Sequence, residues 1–585
     1  MKTCWSKPSS IVPASERNTS STHDIQVRFN RTSIAVTFLF IMNLVSMPMK
    51  AYTTEEFPWQ PYHNQLSAEN HTDFSLYEHD FVYKCRQLYG HLNTTARFHH
   101  DEQYNSDLYQ TIIEIPREGM ATPLVYSIPG AIAFSDRAVK LINEFGFGQR
   151  NSSSVFFASI GYIFGVAMIN TAVWISPQNY SLSNYTQNQD AVSETYTVYT
   201  LQEMPSYNSS WLFCKFFYRF FVSIYTIYRI WTSYCSHIRD LIHDLKQYGL
   251  KHDDFFNVDI RPDRIVKYVV IIGDPTSIVL LDPIISIAFI IDVWLSMDVV
   301  IQAMVRVSAM SDVMTFFIAA LYLSRFVWYA YSGLYITSVL LKRLHLESYF
   351  REVDPTVIAI VVAFIAGPLT YTQMRIPIFF DMYKWLMSCA ISTEATNKGS
   401  EGSLALTIFA LLIAGIPVIY GFAAQYVQCS FYRKRGSISD LMSARYASFG
   451  YNDLKRKILL RLSNRYSNFS DNVCFAGGSV YHVFAWNKRY KYNPTMSQRD
   501  ADCYVQCMNS SDKVIASIRL TLLQSIDMRH KDPTLVVEMV EQKELRCAVS
   551  RVHIVFDTKD QLDSNHCSHD YVQIQQGKSL SCWMS

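Results

Sequence analysis

The stretch from Ser154 to Ser176, SVFFASIGYIFGVAMINTAVWIS, decides how this chain is read. It holds no Asp, Glu, Lys or Arg, and it is long enough to cross a bilayer as a helix, which takes about 20 mostly apolar residues. Thr356–Met374 and Gly402–Tyr432 are likewise uncharged. In lipid, backbone polar groups must be satisfied without water, so such runs imply helices or closed barrels. The expectation is an all-α polytopic membrane bundle.

Working outward from that stretch divides the chain. Residues 1–31 are basic and rich in Ser and Thr, the composition of a disordered tail. Thr32–Met49 is an uncharged run followed by Lys50, and residues 32–50 are read as a signal anchor and first span. Residues 51–153 are hydrophilic. Residues 154–432 are a transmembrane core of six helices, near Ser154–Ser176, Trp211–Cys235, Pro283–Val305, Val313–Tyr335, Thr356–Met374 and Ser403–Tyr426. Together with the first run this makes about seven spans. Residues 433–465 are a basic juxtamembrane segment. Residues 466–585 alternate apolar and polar at Ser479–Trp486, Val514–Leu523, Thr534–Met539 and Cys547–Phe556, which predicts a small β-rich cytosolic domain.

Loop charges orient the set. Pro177–Ser210 has no Lys or Arg and belongs outside. Arg239–Lys267, Lys342–Arg351 and the Arg433–Arg435 cluster belong inside. The first run conflicts with this scheme. If it crosses, the basic tail lies outside, against the rule; if it does not, six spans remain. Seven is the favoured count. Sequons at Asn179, Asn184 and Asn208 fall in the outer loop, and Asn184 is the candidate glycosylation site. Asn70, Asn93, Asn151, Asn468 and Asn509 fall in segments placed inside.

Charges within the spans are the candidate functional residues, because ionisable groups in a membrane are costly and are paired or line a cavity. Lys215, Arg219 and Arg229 lie on one narrow helical stripe, amid aromatic residues on the remaining surface. Asp292 and Asp298 interrupt the fourth span and Arg325 the fifth. Their depths agree within a turn for Asp292 and Arg325, which predicts an ion pair. Gly367-Pro368 and Gly415-Ile416-Pro417 are candidate kinks. Asp274-Pro275, Asp282-Pro283 and Asp354-Pro355 read as helix starts, with Asp as N-cap and Pro in the first turn.

Motifs of soluble enzymes, GxxxxGK[ST], GxGxxG, HExxH and GxSxG, do not occur. Cys503, Cys507 and the His566–His569 stretch are zinc-capable types at a spacing that matches no common site. The reading therefore includes no enzyme activity, no cofactor, no metal and no nucleic-acid partner. The bilayer is the expected partner, with anionic lipids attracted to 433–465. Protein partners are unspecified.

Several stretches occur together: Leu281-Asp282-Pro283, Ile291–Trp294, Arg306–Ser308, Leu321–Arg325 with Trp328, Val353–Thr356, Gly367–Tyr371 and Ala501–Tyr504. From about Arg264 onward the chain resembles a multipass membrane protein family expanded in oomycetes, the water moulds. The resemblance implies a membrane protein of unknown activity and carries no catalytic residues; the expected location is the plasma membrane or an endomembrane. Intramembrane charges and kinks favour transport or permeation of a small solute, anionic by preference. The alternative is a receptor or scaffold that signals through the cytosolic domain, and a membrane enzyme comes third.

Overall fold

Asn30 opens the first helix by accepting from the Ser33 amide, and its own amide bonds to Val270 O. One residue thus caps a helix and ties the chain's start to a strand 240 positions away. The computed structural model describes residues 26–60, 74–89, 98–102, 104–116, 118–149, 154–177, 193–204, 209–250, 265, 267–344, 346, 349–389, 399–432, 454–465, 467–478, 495–522, 536–541, 548–549, 551–555, 571–576 and 582–584.

In chain order, β1 (Gln26–Phe29) leads into α1 (Arg31–Val45). There follow α2 (Phe74–Tyr89), β2 (Phe98–Asp101), β3 (Ser106–Pro116), α3 (Asp136–Gly146), β4 (Val155–Ile163), β5 (Val166–Pro177) and β6 (Ser193–Glu203). The middle of the chain is helical: α4 (Ser209–Ile230), α5 (Ser236–Tyr248), a strand β7 (Lys267–Ile271), α6 (Thr276–Leu280), α7 (Pro283–Trp294), α8 (Met297–Ala309), α9 (Val313–Leu323), α10 (Val327–Leu344), α11 (Pro355–Arg375) and α12 (Pro377–Cys389). The short β8 (Gly399–Glu401) precedes α13 (Ser403–Tyr432) and α14 (Leu454–Asn464). The remaining strands are β9 (Asn468–Gly477), β10 (Cys503–Met508), β11 (Lys513–Leu522), β12 (Val536–Glu541), β13 (Arg551–Val555), β14 (Tyr571–Gln576) and β15 (Trp583–Met584).

The all-α seven-span reading is overturned, and Ser154–Ser176 is the reason. It is a β-hairpin, β4 and β5, paired from Val155–Ile175 to Ile163–Val166. The two residues between the strands, Phe164 and Gly165, have φ of 50° and 76°. Positive φ at both positions is the geometry of a tight hairpin turn, and Gly165 adopts it at no steric cost. The hairpin lies inside a six-stranded sheet of order β2–β3–β6–β5–β4–β8. One face packs Ala172, Trp174 and Leu201 against Tyr77, Phe81 and Cys85 of α2. The other packs Val173, Ile175 and Val198 against α3 and α12. A strand covered on both faces loses the polar alternation that would distinguish it from a helix. The hydrophilic segment 51–153 supplies part of this layer, called here the upper layer.

A second, lower layer has the order β1–β7–β10–β11–β15, with β9 parallel to β11. Its β1 belongs to the stretch expected to be a disordered tail, and β7 comes from the loop before α6. Of the C-terminal strands, β9, β10, β11 and β15 therefore share one sheet with β1 and β7. Ile238, Leu241 and Leu245 of α5 pack on them. Strands β12, β14 and β13 make a further three-stranded sheet.

The helices run between the layers. Tyr234, just beyond α4, donates to Ala501 O of the lower layer. Trp294 at the end of α7 meets Phe164 at the tip of the upper hairpin. Arg375 at the end of α11 donates to Tyr126 O in the upper layer, whereas Thr495, whose carbonyl accepts from Val353 N–H, donates through its hydroxyl to Leu334 O of α10. Asp282 and Asp354 cap α7 and α11, each with Pro at the first turn, as the Asp-Pro pairs predict. Three helices are long and apolar enough to cross a membrane: Val313–Leu344, Pro355–Arg375 and Ser403–Tyr426. A fourth candidate is the pair α7–α8, bent by 71° at Leu295–Ser296, and α1 is a shorter apolar helix. Pro368 and Pro417 lie within continuous helices. Gly367 lets α11 approach α9, since a Cβ there would meet that of Ala320 at 2.9 Å.

Candidate functional site

Helix α4 is built inside out. Phe217, Phe220, Phe221, Ile224, Ile227 and Tyr228 are exposed, while Lys215 and Arg219 are buried, Arg219 completely. The stripe predicted from the sequence faces the bundle core, and the aromatic residues face outward. A helix that hides its cations and presents aromatics suits apolar surroundings on its outer side and needs anions on its inner side.

The anions are Glu55 and Asp292. Glu55 follows the short turn Met49–Thr53 that ends the first apolar run. Its carboxylate accepts from Arg219 Nη2 at 2.7 and 2.8 Å, from Tyr322 Oη at 2.7 Å, and from Ser296 Oγ and Arg325 Nη1 at 3.2 Å. Lys215 Nζ lies 3.1 Å away. Asp292 accepts from Arg219 Nε at 2.7 Å through one oxygen and from Arg325 Nη2 through the other. The Arg219 guanidinium also stacks 4.6 Å from the centre of the Tyr52 ring. Two carboxylates thus hold three cations from α4 and from the α9–α10 junction. Charge-assisted hydrogen bonds of this kind are the strong ones, and their worth rises away from water.

The structure brings Asp292 and Arg325 together and adds Arg219 and Lys215 to them. It leaves two candidates apart. Asp298, in the first turn of α8, is buried with Oδ1 unpartnered among the described residues and does not contact Arg325. Arg229 lies nearly three turns beyond Arg219 along α4 and pairs with Asp282 at 2.5 Å. Glu55 escaped the sequence reading because it stands in a hydrophilic stretch; the signal that could have found it is the excess of cations within the apolar runs. Asn184, Arg433–Arg435 and His566–His569 lie outside the described residues. Cys503 and Cys507 are buried in β10, where burial pushes the Cys507 thiol up to about 12. No group of three or more metal-capable side chains occurs among the described residues.

A separate, partly open apolar cavity of about 70 Å³ lies between the upper sheet and α8, α11, α12 and α13. None of the ionic residues lines it. Near it, Arg306 of α8 makes a two-pronged contact with Asp107 at 2.7 and 2.9 Å, and His100 Nδ1 lies 2.7 Å from the same carboxylate. This contact joins α8 to the upper sheet. On the lower side, Lys455 of α14 reaches Asp274 at 2.7 Å, and Ser277 donates to the neighbouring Asp500. Burial and then the Asp274 charge push the Asp500 carboxyl well above the usual carboxylate range.

No protein-family model, no curated protein and no solved structure matches the chain, so the site is read from its own geometry.

Proposed function

We propose that this is an integral membrane receptor or scaffold, with a folded layer on each side of the bilayer joined by six crossing elements: α1, α4, the bent α7–α8 pair, the α9–α10 run, α11 and α13. The observation that carries this reading is the buried ionic network. Three cations are held by two carboxylates, and the described cavity touches none of them. A permeation path would need these charges to face water or a solute. Here they face one another, which suits a joint that fixes how the helices meet.

Exposed side chains support the crossing scheme. Ile34, Phe38 and Leu39 on α1, Ile284 and Ile287 on α7, and Leu411 and Ile419 on α13 extend the outward apolar surface of α4 around the bundle. Such a contiguous surface on a soluble protein would exceed what monomers expose. With six crossings, the basic tail and the region after Arg433 fall on one side with the lower layer, and the charge rule holds without exception. By chain order alone, the sequons at Asn70, Asn93, Asn151, Asn179, Asn184 and Asn208 then belong to the stretch between α1 and α4, assigned to the outer side.

Two measurements test this. Epitope tags at both ends should stain only permeabilised cells; staining of intact cells would overturn the orientation. Liposomes holding the purified protein should take up chloride, sulfate and acetate no faster than empty ones. Faster uptake of any of these would return the permeation reading and sink this one.

A further inference from the structure

Helix α12 bridges the upper ends of two candidate spans. Ile376 is extended, as the residue before a proline tends to be, so α11 stops there and α12 starts afresh at Pro377. Midway along α12, the Tyr383 hydroxyl accepts from Gln373 in the last turn of α11 at 2.6 Å. Near its far end, the Met387 methyl lies 3.8 Å from where a Cβ on Gly402 would stand, at the start of α13. Helices α11 and α13 are antiparallel, because the Arg351 amide, just before α11, donates to Gly421 O, late in α13. The end of α11 and the start of α13 therefore lie at one level, and a helix that joins them runs along that level.

The sides of α12 differ. Ile378, Met382, Trp385 and Cys389 recur at i, i+4, i+7 and i+11 and are exposed, Ile378 to 78% and Trp385 to 63%. Phe379 is exposed beside them. At about 100° per residue these side chains share an arc of roughly 120° that holds no charge. Asp381 and Lys384 lie beyond one edge of the arc and are tied to the upper layer. Asp381 accepts from the Tyr126 hydroxyl at 3.0 Å, and Lys384 donates to Phe134 O. Phe380, Tyr383 and Met387 are buried on the remaining side, and α12 packs on α13. Exposed Leu411 and Leu412 follow about two turns into α13, so the apolar surface continues from α12 onto the span. An exposed apolar arc with Trp, at the level where spanning helices end and with its charges held to one side, is the make-up of a helix lying in a membrane interface.

We infer that α12 rests in the interface of the outer leaflet, with this arc among phospholipid headgroups and the first carbons of their chains, and so seats the upper layer on the bilayer through Asp381 and Lys384. The partner is the lipid surface itself. The inference rests on the membrane reading above and adds to it a lipid contact outside the six crossings.

The test uses the full chain in phosphatidylcholine nanodiscs containing, in separate samples, a phospholipid with a diazirine beside its headgroup or at its chain end. After irradiation, labelled residues are located by mass spectrometry. An arc about 5–10 Å into the boundary meets the first probe, whereas chain ends gather near the middle of a core about 30 Å thick. Ile378, Met382 and Trp385 should take about fivefold more label from the headgroup probe than from the chain-end probe. Phe364 of α11 and Ile419 of α13, exposed within their spans, should show the reverse preference. An unlabelled α12 beside a labelled Phe364 and Ile419 would overturn the inference and leave the membrane reading standing. No label at any of these positions would overturn both. A chain-end preference at α12 would also overturn the inference, since the helix would then lie deep in the core. If a second copy of the chain covers the arc instead, copper-phenanthroline oxidation should give disulfide dimers that Cys389→Ser abolishes, with α12 unlabelled, and that result too would overturn it.

Discussion

Glu55→Gln is the sharpest perturbation of the bundle. The substitution keeps shape and size but removes the charge that Lys215, Arg219 and Arg325 share. Asp292 remains, holding Arg219 and Arg325, and it does not pair with Lys215. A buried ion left without its partner costs about 3–5 kcal/mol. Glu55 is buried with its partners, so solvent screening offers no relief. The expected loss for Glu55→Gln is therefore about 3–5 kcal/mol. Lys215→Met should cost less, because the carboxylate keeps both arginines. In the double variant the unpaired ammonium is gone, so the two losses should fall short of their sum by about 1 kcal/mol or more. Equilibrium unfolding by SDS titration in mixed micelles measures all three variants. A Glu55→Gln protein within about 1 kcal/mol of wild type, or losses that simply add, would show that the network does not hold the helices together.

Three further outcomes follow from the same geometry. Asp107→Asn should destabilise the upper layer by about 3 kcal/mol, since it removes the charge partner of Arg306, and hydrogen exchange at β3 and α8 should rise while β10 stays protected. Gly165→Val should cost about 1–2 kcal/mol because L side chains resist positive φ; a cost near zero in thermal melts would argue against the hairpin. Glu203, pushed by burial up to about 8 from its ordinary 4.5, is protonated in the fold and ionised when unfolded between those values, so stability falls as pH rises from 4.5 to 8, and Glu203→Gln should flatten that slope in melts at pH 5 and pH 8.

What the sequence disclosed depended on the environment each residue entered. Lys215, Arg219, Asp292 and Arg325 were legible because charge within an apolar run demands an explanation wherever it occurs. The Asp-Pro starts were legible because capping is local chemistry. Ser154–Ser176 was not. Its strands are buried on both faces, so their polar alternation is lost, and the only marks of a hairpin were Gly165 at its centre and its many β-branched and aromatic residues. Strand β1 was hidden for a different reason: four residues acquire extended structure only because β7 lies beside them. The same long-range pairing ties part of the expected C-terminal domain to the chain's start, since β7 runs between β1 and β10.

The misread hairpin and the topological conflict are one problem. As a helix, Ser154–Ser176 adds a crossing and sends everything before it to the side opposite the one that the proposed six-crossing scheme gives it. That placed the basic tail outside and three sequons inside. As a hairpin it adds none. The acidic segment 51–153 then shares a sheet with β4, β5 and β6, through the continuous pairing of β3 with β6 and of β6 with β5. Glu55 enters the bundle from that same side, at the end of α1, and meets Ser296 at the α7–α8 bend and Tyr322 beside the α9–α10 break. At both interruptions the backbone tightens to shorter bonds, Ser296 N–H to Val293 O and Val327 N–H to Ser324 O, and irregular backbone at this depth is tolerated where the protein itself covers it. The network sits where two helices are broken, and its charges fix the broken ends against α4. A helix that crossed without a break would need no such joint. The cations of α4 and the bends in its neighbours are thus two parts of one construction, and Glu55 is the residue that connects them to the upper layer.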